Sequence, residues 1–295
     1  MEPSRRGFLR SSVGFGGVIA AVLARKTPGL GETNTEGGTD AQAPVTQNAR
    51  SRQVIINADD FGMSAEIDRG ILDAHDRGVV TSASLMVDEP DAEAAVEQAR
   101  QRPGLSLGIH VAFDRRGQWF VDIGNLAAVQ RELDHQLGRF VRLTGRTPTH
   151  IDSHHHVHRS FNVARLFLEV GERYGVPVRG FSEVFYIGQF YGQLEFRKTD
   201  LSLITVETFT SILRSLRPGV TEVSCHPGHL EMRPDAFYNR EREVELQVLT
   251  DRRVKAAIAD ARLHRISYLD YPRFASRPGR GLLAGCPPAP TALRR

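Results

Sequence analysis

Five histidines and one aspartate fall within the ten residues Thr149 to His158, which read Thr-His-Ile-Asp-Ser-His-His-His-Val-His. Imidazole is the commonest protein metal ligand, and a carboxylate either ligates a metal or orients a ligating ring. A strand turns alternate side chains to one face, so a strand here aims His150, Asp152, His154 and His156 the same way. The run lies between apolar helical segments and not in a low-complexity tail, which favours a metal site over a solvated polar loop. A second concentration is Asn57-Ala58-Asp59-Asp60-Phe61-Gly62, directly after the apolar Val54-Ile55-Ile56. Adjacent carboxylates at a strand end repel unless a cation or a hydrogen-bond network compensates them. A structural turn or capping role is the alternative for this pair.

The elements that position these residues follow from periodicity and punctuation. Gly62 permits a sharp turn, and Ser64 caps a helix running to about Asp76. Thr81–Val87 reads as a strand, Pro90–Arg102 as a helix and Leu105–Val111 as a strand ending at His110. Asn125–Thr144 is a long amphipathic helix with Leu126, Val129, Leu133, Leu137 and Phe140 at helical spacing. The histidine run supplies the next strand and its loop. Phe161–Tyr174 is a helix and Val176–Gly180 a strand. Val206–Leu216 is a helix, and Thr221–Cys225 a strand ending at His226-Pro227-Gly228-His229. Two helices, Glu241–Leu249 and Arg253–Ala261, and a short strand, Arg265–Leu269, complete the series. Residues 185–203 contain Phe185, Tyr186, Phe190, Tyr191 and Phe196; they read equally as a sugar-stacking loop over a site and as packing.

Alternating strands and helices specify a parallel sheet, and about seven strands fit an irregular (β/α) barrel of the α/β class. In such a barrel, active sites lie at the carboxyl ends of the strands. Asp59 and Asp60, His110, His154, Arg179 and His226 all fall there. A carboxylate of the Asp59–Asp60 pair with His110 and His154 makes three protein ligands with an open position, the usual form of a catalytic metal site. The other aspartate then serves as general base and His226 as general acid, which suits metal-assisted hydrolysis of a carbonyl compound.

These residues resemble the YdjC-like carbohydrate deacetylases, a family that includes chitooligosaccharide and hopanoid-pathway deacetylases. The resemblance rests on Asn57–Gly62, Leu107-Gly108-Ile109-His110, His150–His158 and Cys225-His226-Pro227-Gly228, in that order, and covers about residues 52–271. It implies a divalent-metal hydrolase that removes acetyl groups from N-acetylated sugars. Asp60, His110 and His154 match the family's metal ligands, Asp59 its catalytic base and His226 its catalytic acid. Arg179 orients Asp59 or binds substrate, with a surface ion pair as the alternative, and His156 is a further candidate for substrate contact. His155 and His158 read as supporting or surface residues, and His229 and Glu231 as weaker candidates for substrate contact. Two imidazoles and a carboxylate favour zinc on ligand softness, whereas the resemblance points to magnesium. The rival readings are another metal hydrolase such as a phosphoesterase, or a periplasmic metal-binding protein using the histidine run alone; the latter leaves Asp59, His110 and His226 without a role.

The rest of the chain sets the context. Residues 4–10, Ser-Arg-Arg-Gly-Phe-Leu-Arg, resemble a twin-arginine export signal, and the weakly apolar Val13–Ala24 is shorter than the roughly 20 residues of a membrane span. Cleavage near Ala24 leaves a chain with no stable membrane span. The expectation is a periplasmic or exported protein whose partners are the twin-arginine machinery and a carbohydrate. Residues 25–51 read as a disordered linker and 272–295 as a disordered tail. Removing residues 1–24 lowers the formal charge from +3 to +1, so there is no electrostatic case for nucleic acid. Two cysteines give no disulfide framework.

Overall fold

A computed structural model describes residues 51–195, 198–232 and 238–271. The signal, nearly all of the linker, the tail and Phe196 lie outside them. The strands of the main sheet are β1 (Arg52–Phe61), β2 (Ser82–Leu85), β3 (Ser106–Val111), β4 (Ile151–Ser153), β5 (Phe185–Ile187), β6 (Gly219–Cys225) and β7 (His264–Arg265). Their order is β4-β3-β2-β1-β6-β5, with β7 paired beside the start of β1, and every pairing is parallel. This is an α/β fold whose seven-stranded parallel sheet curls into a partial barrel.

Helices α1 (Ala65–Asp76), α2 (Ala92–Arg100), α3 (Leu126–Thr144), α4 (Ala164–Tyr174), α5 (Val206–Ser215), α6 (Asn239–Thr250) and α7 (Arg252–Asp260) supply the crossovers and flank the sheet. The Ser64 hydroxyl caps α1 by accepting from the Ile67 N–H, and Asn125 caps α3 through Ala128. No helix among the described residues is long and apolar enough to cross a membrane.

The two faces of the sheet differ in chemistry. Val54, Ile56 and Ala58 of β1 join the main apolar core with Leu133, Leu137 and Phe140 of α3. The intervening residues carry the opposite face, where Ile55 packs with Val184, Tyr268 and Tyr271, and Asn57 and Asp59 follow it. Beside them the short polar side chains of β2 and β3 hydrogen-bond to one another, Ser106 Oγ to Ser82 Oγ at 2.8 Å, and Ser84 reaches both His150 and Asp152. Period-two alternation therefore places grease under the helices and a polar layer inside the curl.

Four boundaries differ from the sequence reading, and the last strand is one of them, lying at His264–Arg265 where the sequence reads Arg265–Leu269. β1 continues through the two aspartates to Phe61 before Gly62 (φ 92°) turns the chain. The expected strand at Val176–Gly180 reduces to one bridge, Val178 to Ile151, because Pro177 has no N–H to donate and can only accept from the Ile151 N–H through its carbonyl. The edge strand is instead β5, inside the aromatic stretch. The histidine run leaves the sheet at Ser153 and enters a tight 3₁₀ turn, His154–Arg159, in which His155 and His156 both have φ 53°.

Candidate active site

Asp59 and Asp60 end β1 pointing to different partners. Arg179 grips Asp59 with two parallel bonds, Nη1 to Oδ2 and Nη2 to Oδ1, each 2.7 Å, and Asn57 Nδ2 donates to Oδ1 at 2.8 Å. Arg179 is 1% exposed, so the surface ion-pair alternative is excluded. It also meets Asp152 at 2.6 Å and Glu222 at 2.7 Å. Burial pushes the Asp59 carboxyl up, but Arg179 and then His110 outweigh it, leaving the group below its ordinary value and ionised.

Asp60 turns away on a left-handed residue, φ 69°, a costly conformation for a side chain other than glycine. Its Oδ2 accepts from Arg242 Nη2 at 2.6 Å, whereas Oδ1 is buried with no hydrogen-bond partner among the described residues, 3.4 Å from His110 Nε2. Burial raises this carboxyl, and Arg242, followed by His110, brings it well below the usual range.

His110 and His154 converge on Asp60 from β3 and from the turn after β4, their rings 5.8 Å apart. Each is backed by a carboxylate. His110 Nδ1 donates to Asp152 Oδ1 at 2.6 Å, and His154 Nδ1 to Asp114 Oδ1 at 2.8 Å. A carboxylate behind Nδ1 fixes the tautomer and leaves Nε2 as the ligating atom. Sequence reasoning missed Asp114 in this role and treated Asp152 only as part of the run. Burial lowers the His110 pKa, but Asp152 and Asp59 raise it to about 10.

Among the described residues there are two sets of metal-capable atoms that, within each set, all lie within 4.8 Å of one another: Asp59–His110–Asp152 and Asp114–His154–His155. The expected set of Asp60, His110 and His154 takes one imidazole from each. The first compact set suits a cation less well, because Arg179 is already ion-paired with both of its carboxylates. Asp60, His110 and His154 do not themselves form so compact a set, but the unpaired Asp60 oxygen beside His110 Nε2 suits a cation, and these three are the residues that would hold it.

His226 extends β6. Its Nε2 lies 3.8 Å from Asp59 Oδ2, so the expected base and acid adjoin. Burial lowers its pKa to about 4, outweighing the opposing pull of Asp59 and Asp60. Glu245 of α6 accepts from the His226 N–H at 2.5 Å and from Tyr238 Oη at 2.6 Å. Burial pushes the Glu245 carboxyl up to about 8. Neither Arg242 nor Glu245 stood out in the sequence; the available signal was charge on the buried face of a helix.

The aromatic stretch divides. Tyr186 faces the site, with its hydroxyl 2.9 Å from Ser224 and 3.3 Å from His156, and its ring 5.1 Å beneath Arg179. Tyr191 lies 4.7 Å from the His226 ring. Phe190 instead packs inside against Phe209, and Phe185 is exposed. His150 is not at the rim. It is buried beneath it, stacked on Tyr268 at 4.0 Å. His158 is buried with Nδ1 on Ser153, and His229 is tied to Asp73 at 2.8 Å.

A curled parallel sheet whose carboxyl rim gathers Asp59, Asp60, His110, His154 and His226 is the frame of the candidate site. The model of the YdjC-like protein family matches residues 53–260, and the chain belongs to that family. Among its relatives is a protein of Geobacillus stearothermophilus named carbohydrate deacetylase, 36% identical, covering 75% of this chain and 98% of that protein. A chitooligosaccharide deacetylase of Serratia marcescens is 33% identical, covering 70% and 94%. A crystal structure from Enterococcus faecalis V583, named for cellobiose-phosphate cleavage, is 28% identical with a TM-score of 0.65, covering 75% of this chain and 99% of that one.

Proposed function

We propose that this protein hydrolyses the N-acetyl group of an N-acetylated amino sugar, releasing acetate and the free amine with the aid of one divalent cation. Carbohydrate deacetylation follows from family membership and the names of the relatives. The observation that carries the finer reading is the placement of Asp59 within 3.8 Å of His226, beside a buried carboxylate oxygen of Asp60 that has no hydrogen-bond partner among the described residues.

Each residue has a task in this reading. Arg179 keeps Asp59 ionised and immobile, so the carboxylate can take a proton from an attacking water. Addition of that water to the acetamide carbon breaks the carbonyl π bond and places charge on oxygen. Asp60, His110 and His154 would hold a divalent cation, which supplies Lewis acidity to the water and the developing oxyanion. His226 is neutral at rest, so the proton it delivers to the departing nitrogen is one received during the cycle, with Asp59 its nearest source. Cleavage of the C–N bond then yields acetate and amine. Tyr186 and Tyr191 wall the space over Asp59 and His226. Zinc suits the two imidazoles, and magnesium is the other candidate.

The test is acetate release by metal-reconstituted protein from N-acetylglucosamine oligomers and from isolated envelope glycans, with Asp59→Asn as control. Acetate from wild type alone supports the reading; acetate from neither substrate with metal bound overturns it. We also propose export by the twin-arginine route, on the strength of Arg5-Arg6 and the segment after it. Replacing both arginines by lysine should then retain the protein inside the cell, as read by fractionation.

A further inference from the structure

Trp119 is the single tryptophan of the chain and is half exposed. It belongs to a small hairpin in which Gln118–Trp119 pairs antiparallel with Asp114–Arg115, Trp119 lying opposite Asp114. Arg116 (φ 53°) and Gly117 (φ 77°) make the turn. Two successive left-handed residues are what a tight two-residue hairpin of this hand requires, and glycine meets the second without strain.

This hairpin is fastened to the ligand set. Asp114 accepts from the Gly117 N–H through Oδ2 at 3.0 Å, and from His154 Nδ1 through Oδ1 at 2.8 Å. Behind it the Phe113 carbonyl accepts from Phe120 N at 3.1 Å, and the buried Phe113 ring packs edge-on against Phe167. One carboxylate thus sets both the turn that carries the indole and the imidazole that faces Asp60. From His154 the rings step to His155 at 3.8 Å and from His155 to Trp119 at 5.8 Å, together under 10 Å.

A large, rigid, amphipathic ring held in the open beside a site gives contact area at little entropic cost. The C–H face of a pyranose is apolar and flat enough to lie on an indole, while its hydroxyls stay at the edge in water. The distance from His154 matches the reach of a second sugar linked to the one whose acetamide is cleaved.

We propose that Trp119 is the platform of a neighbouring sugar subsite, which stacks the adjoining pyranose and makes the enzyme prefer a linked amino sugar over the free monosaccharide. This rests on the amino-sugar reading above. Because Trp119 is the single tryptophan, it reports its own occupancy.

The probes are N-acetylglucosamine and its β-1,4-linked disaccharide, titrated into full-length Asp59→Asn protein by tryptophan emission and by calorimetry. The expected result is an emission change with the disaccharide and none with the monosaccharide. Adding Trp119→Ala should weaken disaccharide binding about tenfold, with monosaccharide binding changed less than about twofold, and Trp119→Phe should recover part of the loss. In the otherwise wild-type chain, Trp119→Ala should raise KM for the disaccharide with kcat little altered. Calorimetric binding of the disaccharide with unchanged emission, or an unchanged ratio of disaccharide to monosaccharide kcat/KM in Trp119→Ala, overturns the platform alone. No binding of either sugar, together with no acetate release by wild type, overturns the amino-sugar reading and the platform with it.

Discussion

At the scale of residues, the site divides labour between two adjacent carboxylates by giving each its own arginine. Arg179 holds Asp59, and Arg242 holds Asp60 by one oxygen, leaving the other open to the proposed cation. Asp59→Asn should cut acetate release by roughly 10²–10⁴-fold while metal stoichiometry, measured by elemental analysis, stays near wild type. Unchanged turnover would assign the base elsewhere. The supporting carboxylates should be felt differently. Asp114→Asn removes the charge behind His154 Nδ1 and should weaken metal affinity about 10–100-fold by competition titration, with far-UV circular dichroism unchanged. Unaltered affinity would remove His154 from the ligand set. His110, with its pKa raised to about 10, carries a proton at pH 7 that a ligating imidazole must lose. Calorimetry in buffers of different ionisation enthalpy should therefore find about one proton released per metal bound at pH 7.

At the scale of elements, α6 brings Arg242 and Glu245 under the site at the cost of burying charge. In the folded chain the Glu245 carboxyl titrates near 8, against 4.5 for an ordinary glutamate. As pH rises through that interval the unfolded chain loses this proton first, so the Glu245 contribution to stability is fully present below pH 4.5 and declines toward 8. His226 acts in the opposite sense. Its folded pKa of about 4 lies below the ordinary 6.5, so its contribution is lost as pH falls from 6.5 to 4. Glu245→Gln should consequently gain melting temperature relative to wild type between pH 5 and 8. A difference in melting temperature that does not vary with pH would refute the buried-acid reading. The apolar side of α3 provides the contrast. Leu133 is fully buried, and Leu133→Ala should lower stability by about 2–5 kcal/mol, seen in chemical denaturation.

At the scale of the whole molecule, the curled sheet gathers β1, β3, the turn after β4 and β6 at one rim, so the proposed metal ligands, base and acid are joined through a single polar layer. Ser84 alone contacts Asn57, His150 and Asp152. A cation held across β1, β3 and the histidine turn stabilises the folded state over the unfolded one. Chelation should therefore lower the melting temperature as well as abolish acetate release, and both should return on adding back the native metal. Loss of activity with no thermal shift would place the metal away from this rim.

Much of this was legible in the chain itself. Strand–helix alternation, the Ser64 and Asn125 caps and the spacing of Leu133, Leu137 and Phe140 are local or periodic features, and they carry the fold class and most element positions. Clusters of adjacent carboxylates and of imidazoles are likewise visible as composition, so Asp59, Asp60 and His154 stand out locally, whereas His110 and His226 stand out only by their shared place at strand ends. Whether a residue points inward, and at what, is decided by pairing across the sheet. The sequence leaves Arg179 open between orienting Asp59, binding substrate and a surface ion pair until Asp59, Asp152 and Glu222 enclose it, and it places His150 on the same face as His154 until Tyr268 covers it. Asp114, Arg242 and Glu245 lie 40, 182 and 19 residues from the groups they hold — His154, Asp60 and His226 — and no local pattern marks them. Hydrophobic periodicity encodes which face of an element is buried; the partner of a buried charge is set by long-range packing, and only the tertiary structure supplies it.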